Sequence, residues 1–493
     1  MNFELNKDYI CKIYKINNTE VNFTTTVCFN EFYQAIVTIL DITPEFSELF
    51  DYKCFSGNII LGNAEVLTFF EAYFQKSTYS SNDKENSKNT LQIIVPKIII
   101  GRNEVSSKTT FSEISFEISD GHELIGLCPY DFNKNGGDIL IGNNIEIPAG
   151  IKSIEAETKI GKFGFASYPR YTFSKNAFSL EFGHNIYYCP NNRFTIAEYE
   201  GILHKTSDLL TLLCGEIISI NKINLIVYQE DEKPDSYEFI GFCNFLKNQI
   251  NRLDYKGFDT TSYKRLYIFK ISDFLNLKSA LVYWFDNYDK LYNAHQAYGR
   301  ILLDEEMKLV TVNKFLASMQ LVEGYAQAFD DEKDDMKRFN EDKNRVIFQL
   351  HNEDDKKFVE KYLRYSGTTF RKVLINFLFE AINIFEKMSK NSFKSKYDNL
   401  FTNIVNDRNY YTHSSNRSVP KLSISELMEI SEIIKDLYRV NILLKMGVEE
   451  AVISCRCSNN REFPAYLKNI FDIELEDKDH IPDFDKAMWE YSN

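Results

Sequence analysis

The hydrophobic pattern changes partway along the chain, and this change limits the possible folds more than any other feature. Up to about residue 200, short β-branched and aromatic runs such as residues 97–100 and 115–118 are separated by turn-forming residues, which is typical of strands. From about residue 305, apolar residues recur at helical spacing, as in residues 307–329. The pattern predicts an α+β multidomain protein, with a β-rich N-terminal region followed by an all-α helical bundle.

The same change places the expected domain boundaries. Residues 1–300 are predicted to form the β-rich domain, and the helical spacing that begins near residue 194 leaves open a division into two subdomains. The turn-forming residues at 135–138 and 143–144 predict a strand between them. Residues 305–450 are predicted to form the bundle, and residues 451–493 an acidic C-terminal extension. The charge-dense segment 330–343 is expected to be a loop or an exposed helix, and residues 393 to about 411 a single helix. Within the bundle, Ser423 and Glu426 have the spacing of a capping box that begins a helix, and Gly447 is expected to end it.

The charge balance excludes general coating of nucleic acid. With 57 Lys and Arg against 71 Asp and Glu, the net charge is −14, which repels phosphate over the molecule as a whole. Between residues 361 and 421, however, eleven basic residues stand against four acidic ones. A basic island on an acidic protein is what a local RNA site requires, although solvated helix faces give the same count.

Cysteine usage and hydropathy point to one compartment. The nine Cys are scattered, which is typical of reduced thiols, and the only close pair, Cys455 and Cys457, lacks a second pair at zinc-binding spacing. The N-terminal segment has no apolar run of signal-peptide length, and no window is apolar enough to span a membrane. We therefore expect a cytoplasmic protein that binds no membrane, no metal and no cofactor.

One group of residues carries recognisable chemistry: Arg408-Asn409-x-x-x-His413, in the late part of the predicted bundle. Arg supplies a permanently charged fork suited to phosphate, and His can accept and donate protons near neutral pH. The Asn409 amide can orient either side chain. In RNA cleavage without metal, His413 would move a proton as the ribose 2′-hydroxyl attacks its phosphate. Arg408 would stabilise the charge that builds on the phosphoryl oxygens.

The spacing alone is suggestive rather than decisive. A second Arg–His pair, Arg345 and His351, has similar spacing but no polar residue after the Arg. On an unbroken helix, side chains five positions apart differ by about 140°, so Arg408 and His413 cannot both enter one small site. Asn409 and His413, four apart, share a face. Either the helix breaks near Thr412, or two copies of the motif face each other across a dimer axis.

The motif and its setting resemble the HEPN superfamily of prokaryotic ribonucleases. More narrowly, residues 321–325 followed by residues 400–413 resemble the HEPN domain of ApeA-type anti-phage proteins, which place it after a large β-rich domain. The resemblance covers residues 305–450; before residue 300 it is limited to the general layout.

The resemblance implies a metal-independent endoribonuclease that leaves 2′,3′-cyclic phosphate ends, acts as a homodimer through the HEPN bundle and is triggered by phage infection. Arg408 and His413 would then be catalytic together with Asn409. Glu323 matches an acidic position that pairs with the motif Arg, and Asp407 is a second supporting residue. Candidate RNA-binding residues are Arg417, Lys394 and Lys396. A phage-derived activator is an expected partner.

Two other functions remain open. The bundle is a non-catalytic RNA-binding, nucleotide-binding or scaffold domain if Arg408 and His413 only grip a nucleotide or stabilise the fold. Alternatively, the N-terminal domain is the active part, a sensor of a phage product, and the bundle only dimerises. Tyr410 and Tyr411 are expected to pack rather than to act. The RNA substrate, the cut site and the trigger are not encoded in any pattern of the sequence.

Overall fold

A computed structural model describes most of the chain, and it divides into two compact units. The described residues are 6–15, 18–30, 34–40, 54–59, 65–80, 88–118, 121–127, 150–174, 177–218, 220–228, 233–241, 269–306, 311–329, 332–363, 369–413, 419–460 and 462–475. The first unit comprises Met1–Phe258, Phe269–Ser272 and Asn276–Val282. The second comprises Asp259–Ile268, Asp273–Leu275 and Tyr283–Asn493.

The first unit is built around one antiparallel sheet. Fourteen of the described strands lie in it, in the order β11-β12-β13-β10-β15-β16-β8-β5-β4-β1-β2-β3-β7-β6, and β9 and β14 form a separate pair. The strands are β1 Asp8–Lys15, β2 Asn18–Phe29, β3 Ala35–Leu40, β4 Cys54–Ile59, β5 Val66–Phe70, β6 Tyr73–Ser80, β7 Lys88–Val95, β8 Lys97–Gly101, β9 Thr110–Phe111, β10 Glu113–Ile118, β11 Lys152–Glu157, β12 Gly161–Ser174, β13 Ala177–Pro190, β14 Phe194–Thr195, β15 Ile220–Val227 and β16 Asp235–Ile240.

The strands predicted around residues 97–100 and 115–118 are confirmed as β8 and β10. Strands β15 and β16, which follow residue 194, pair with β10 and β8, which precede it. The strand predicted between the turns at residues 135–144 lies outside the described residues. One face of the sheet buries an apolar core, in which the Phe55 and Phe69 rings stack with centroids 4.8 Å apart.

The described residues of the first unit include the helices α1 Gly121–Ile125 and α2 Ile196–Cys214. The amphipathic pattern at 194–213 predicted α2, and its ends follow local chemistry. Thr195 and Glu198 form a capping box, and Gly215 ends the helix with φ 77°, a conformation that costs glycine little.

The second unit is helical, and α3 begins just before it. The helices are α3 Leu277–Glu306, α4 Thr311–Phe329, α5 Glu332–Gln349, α6 Glu353–Tyr362, α7 Phe370–Ile382, α8 Lys390–Lys396, α9 Asp398–His413, α10 Ile424–Lys445, α11 Glu450–Ser458 and α12 Phe463–Phe471. None of the helices in the described ranges combines the length and hydropathy needed to cross a bilayer.

Helix α10 is the central element of the bundle. It packs against α4, α7 and α12, and most of its side chains after Leu427 are buried. Its start confirms the predicted capping box, since the Ser423 hydroxyl accepts from the Glu426 amide at 3.2 Å and Glu426 Oε2 accepts from the Ser423 amide at 2.7 Å. Its end lies just before Gly447, which has φ 87°.

A buried ion network fixes three helices against one another. Lys314 on α4 binds Glu305 on α3 at 2.9 Å and also Glu432 on α10, and Lys435 on α10 reaches both carboxylates at 2.6 Å. Because each buried charge has partners of opposite sign, the removal of any one would leave another uncompensated. The network therefore connects α3, α4 and α10 through their side chains.

Two predictions for the helical region are modified by the structure. The charge-dense segment after residue 330, expected to be a loop or an exposed helix, is the exposed helix α5, which packs on α6. The single helix predicted from residue 393 to about residue 411 is wrong, because it is two helices, α8 and α9, separated at Tyr397.

Candidate functional site

The motif lies on α9, which packs against α4 and α7. The first residue of α9, Asp398, forms an ion pair with Arg371 on α7. A carboxylate in the first turn of a helix also interacts favourably with the helix dipole. Helix α9 runs unbroken through Thr412 to His413, and residues 414–418 lie outside the described part of the chain. A break before His413 is therefore excluded, whereas the run Ser414-Ser415-Asn416 that would permit one lies outside the described residues.

Arg408 is the most constrained residue of the motif. Its Nη2 donates to Glu323 Oε1 on α4 at 2.5 Å, and its Nη1 donates to Asn409 Oδ1 at 3.1 Å. The guanidinium carbon lies 5.1 Å from the centroid of the Phe370 ring on α7. Three helices thus meet at this one side chain. The Arg408 and Glu323 side chains are 23% and 34% exposed, so solvent screens their ion pair only in part.

His413 and Asn409 are exposed on the outer side of α9. They are four positions apart, so they lie about 40° apart around the helix axis, whereas Arg408 and His413 lie about 140° apart. Asn409 accepts a hydrogen bond from Arg408. Among the described contacts, none joins His413 to either residue. One copy of the motif therefore presents its cation and its imidazole in different directions.

Asp407 points inward and binds backbone amides of a later segment of the chain. Its side chain is fully buried, and its two oxygens accept from the backbone amides of Lys421 at 2.8 Å and Leu422 at 2.9 Å. The carboxylate therefore ties the chain entering α10 back to the motif helix. Because Lys421 and Leu422 follow His413 in the sequence, these hydrogen bonds connect the two ends of the segment that contains His413.

The candidate RNA-binding residues are placed unequally. Lys394 and Lys396 are exposed on α8, and Lys396 donates to Glu386 at 3.3 Å. Arg417 lies outside the described residues. Much of the basic island is compensated by carboxylates, two of which come from outside the counted window. These pairs are Arg371–Asp398, Lys387–Glu450, Lys396–Glu386 and Arg408–Glu323.

The two tyrosines of the motif pack, at least in part. The Tyr411 ring lies edge-on to the rings of Phe315 and Tyr410, with centroid distances of 6.4 and 5.1 Å. Partial burial raises the pKa of the Tyr411 phenol, and the nearby Asp407 carboxylate adds to the effect. A neutral, packed phenol is suited to supporting α9.

The sequence did not single out Phe370. The residue stands between Thr369 and Arg371 at the start of a largely apolar helix, and no spacing links it to a motif 38 positions later. The second Arg–His pair is unlike the first, because Arg345 pairs with Asp342 at 2.7 Å on the exposed surface of α5. Within the described ranges, no group of three or more His, Cys, Asp and Glu side chains is arranged to hold a metal ion.

Comparison with protein families agrees with this architecture in both halves of the chain. A family model described as ApeA N-terminal domain 1 matches residues 10–284, and one described as Apea-like HEPN matches residues 316–452. The predicted fold class, a β-rich region followed by a HEPN-type helical bundle, is confirmed. No match was found among curated proteins or among solved structures.

Proposed function

The chain belongs to the ApeA family, with an Apea-like HEPN domain at its C-terminal end, and from this premise we propose that it is an anti-phage endoribonuclease triggered by infection. The observation that supports the proposal most strongly is the arrangement of the Arg408 and His413 side chains. Arg408 is held in a fixed orientation by residues from α4, α7 and α9, while His413 is exposed at the end of the same helix.

The proposed reaction is transesterification within RNA. His413 takes the proton of a ribose 2′-hydroxyl as that oxygen attacks the adjacent phosphorus. The bond to the 5′-oxygen breaks, and the leaving oxygen receives a proton from the second His413 of the proposed dimer. The products are a 2′,3′-cyclic phosphate and a 5′-hydroxyl, and no metal enters the step. Arg408 stabilises the negative charge on the phosphoryl oxygens with the donors that its present partners leave available.

The geometry of α9 supports a homodimer through the HEPN bundle. Because the helix is unbroken, Arg408 and His413 of one copy cannot converge, and a two-fold axis near the motif would bring two sets together. A dimer also supplies two imidazoles, one for each proton. Exposed apolar side chains beside the motif support a contact there: Val419, Ile424 and Met428 are 74%, 58% and 50% exposed.

In this proposal, Lys394, Lys396 and Arg417 contact RNA phosphates, and Asp407 and Glu323 support the site. The first unit, with its ApeA N-terminal domain, responds to a phage-derived activator. Domain limits of 1–300, 305–450 and 451–493 remain part of the proposal.

One observation favours a second candidate function. Arg408 already has a carboxylate partner and an aromatic neighbour, which is also how a residue that only stabilises a bundle is held. The domain would then bind RNA or a nucleotide, or act as a scaffold, without cutting. In that case, Arg408→Ala would melt the domain, or the wild type would bind RNA and leave it intact.

The deciding experiment compares the wild type, His413→Ala and His351→Ala on total bacterial RNA in EDTA. His351 is an exposed histidine outside the motif, so its substitution is a matched control. We expect the wild type and His351→Ala to leave cyclic phosphate and 5′-hydroxyl ends, and His413→Ala to lose at least about 100-fold in rate. The assay is run with and without lysate of infected cells, so that a latent enzyme is activated. Equal cleavage by all three proteins would contradict the proposal.

A further inference from the structure

Phe370 occupies a defined place beside the motif. It is the first residue of α7, directly after Thr369, whose hydroxyl caps the helix by accepting from the Lys372 amide at 3.4 Å. The ring is half-buried, and the Arg408 guanidinium carbon lies 5.1 Å from its centroid. A cation at this distance over an aromatic face is attracted by the ring quadrupole.

The contacts of the Arg408 guanidinium are of two kinds: hydrogen bonds in its plane and a contact with the face of an aromatic ring. Hydrogen bonds to Glu323 and Asn409 act in the plane of the guanidinium, because its N–H groups lie in that plane. The Phe370 ring is a neighbour of a different kind, since it attracts the charge without using any N–H donor. The two described hydrogen bonds use two of the five donors, so within the described part of the chain up to three donors are available to a ligand.

We propose that Phe370 is a positioning residue for Arg408: its ring supports the guanidinium so that the remaining donors meet an RNA phosphate in one fixed orientation. This inference rests on the proposed function, since it assigns the ligand of Arg408 as RNA phosphate. Preorganised donors bind charge more strongly than mobile ones because their ordering costs nothing at the moment of binding. Phe370 therefore contributes to RNA binding without touching RNA.

The test compares Phe370→Leu with Phe370→Tyr. Leu keeps an apolar side chain in the bundle but removes the aromatic face, whereas Tyr keeps the face. Tyr362→Leu is the matched control, because Lys361 Nζ lies 5.0 Å from the Tyr362 centroid in the same kind of contact on α6. We expect Phe370→Leu to lower the RNA cleavage rate about 3- to 30-fold, and Phe370→Tyr and Tyr362→Leu to remain near the wild type.

A double-mutant cycle shows whether Phe370 acts through Arg408. Affinity for a single-stranded RNA oligomer is measured in EDTA in His413→Ala protein, which leaves the oligomer intact. We expect Phe370→Leu to weaken binding about 3- to 30-fold when Arg408 is present and to have no further effect in the Arg408→Ala background. A general folding defect would weaken binding equally in both backgrounds.

The outcomes separate the two claims. Wild type that cuts RNA while Phe370→Leu cuts and binds equally well would overturn the role of Phe370 alone, as would a loss that persists in the Arg408→Ala background. Wild type that neither cuts nor binds RNA, even with lysate of infected cells, would overturn the proposed function and this inference together.

Discussion

Four side chains within seven positions of α9 have three different environments. Asp407 is buried, Arg408 lies at the junction of three helices, and Asn409 and His413 are exposed. A rotation of about 100° per residue produces this division, since neighbours in sequence must face different surroundings. The motif therefore combines a structural carboxylate with groups suited to chemistry, and substitutions should separate the two.

Asp407→Asn should destabilise the fold. The two carboxylate oxygens each accept a hydrogen bond from a backbone N–H group, one of them buried, whereas an amide offers one oxygen and leaves one N–H group facing an NH₂ donor. We expect the free energy of unfolding to fall by about 1–3 kcal/mol, measured by urea denaturation.

The control for this substitution is Asp342→Asn. Asp342 is 64% exposed and pairs with Arg345 on the surface, so its change should stay within about 0.5 kcal/mol. Equal effects of the two substitutions would show that the bonds from Lys421 and Leu422 to Asp407 contribute little.

The candidate site could be predicted in part at the residue scale. Arg408, Asn409 and His413 share one helix and a chemical pattern, so their types and spacing were readable from the sequence. Phe370 was not, because an aromatic residue at the start of a helix gives no sign of a cation above its ring. The ring and the guanidinium meet only because α7 packs against α9.

Among the elements, helix ends follow local chemistry closely. The capping box at Ser423 and the stop at Gly447 were predicted from residues a few positions apart, and both are present. Local hydrogen bonds decide such ends, so the sequence determines them without help from distant parts of the chain.

Ser423→Ala should shorten or weaken the start of α10. Loss of the cap should cost about 1 kcal/mol of the free energy of unfolding, measured by thermal or chemical denaturation. Ser425→Ala is the matched control, because Ser425 is exposed within the first turn of the same helix and no cap is described for it. A cost for Ser425→Ala as large as that for Ser423→Ala would contradict a capping role.

The break between α8 and α9 follows a different rule. The sequence around Tyr397 has no Gly or Pro and predicted one continuous helix. In the structure, the Tyr397 hydroxyl donates to the Phe471 carbonyl at 2.6 Å, and its ring lies edge-on to Phe471 with centroids 5.2 Å apart. A partner 74 positions away cannot be read from local propensity, so tertiary contacts override it.

At the scale of the whole molecule, the proposed function gives the two units different tasks. We expect residues 269–475 to fold alone, with a helical circular dichroism spectrum, and to cut RNA without lysate of infected cells. The reason is that the first unit, in the proposed function, is the part that responds to the trigger. A fragment that folds but remains inactive would show that the first unit is needed for activation instead.

The fragment begins at residue 269 so that it retains Asp273, which forms an ion pair within the second unit. Arg456 on α11 donates from Nε and Nη2 to the two carboxylate oxygens of Asp273, at 3.1 and 2.8 Å. A control fragment of residues 277–475 lacks Asp273 and should unfold at a lower temperature, because Arg456 loses a bidentate partner. Equal melting temperatures would show that this pair does not stabilise the bundle.

The sequence by itself determined the two-part architecture, the capped helices and the identity of the motif. Each depends on periodicity or on chemistry between residues close along the chain, which is encoded locally. Only the tertiary structure decided which charges are compensated. The basic window from 361 to 421 counted eleven cations, yet Glu323 and Glu450 reach in from outside it to pair with Arg408 and Lys387. Charge pairing depends on distances of a few ångströms between helices, and those distances exist only after the bundle has packed.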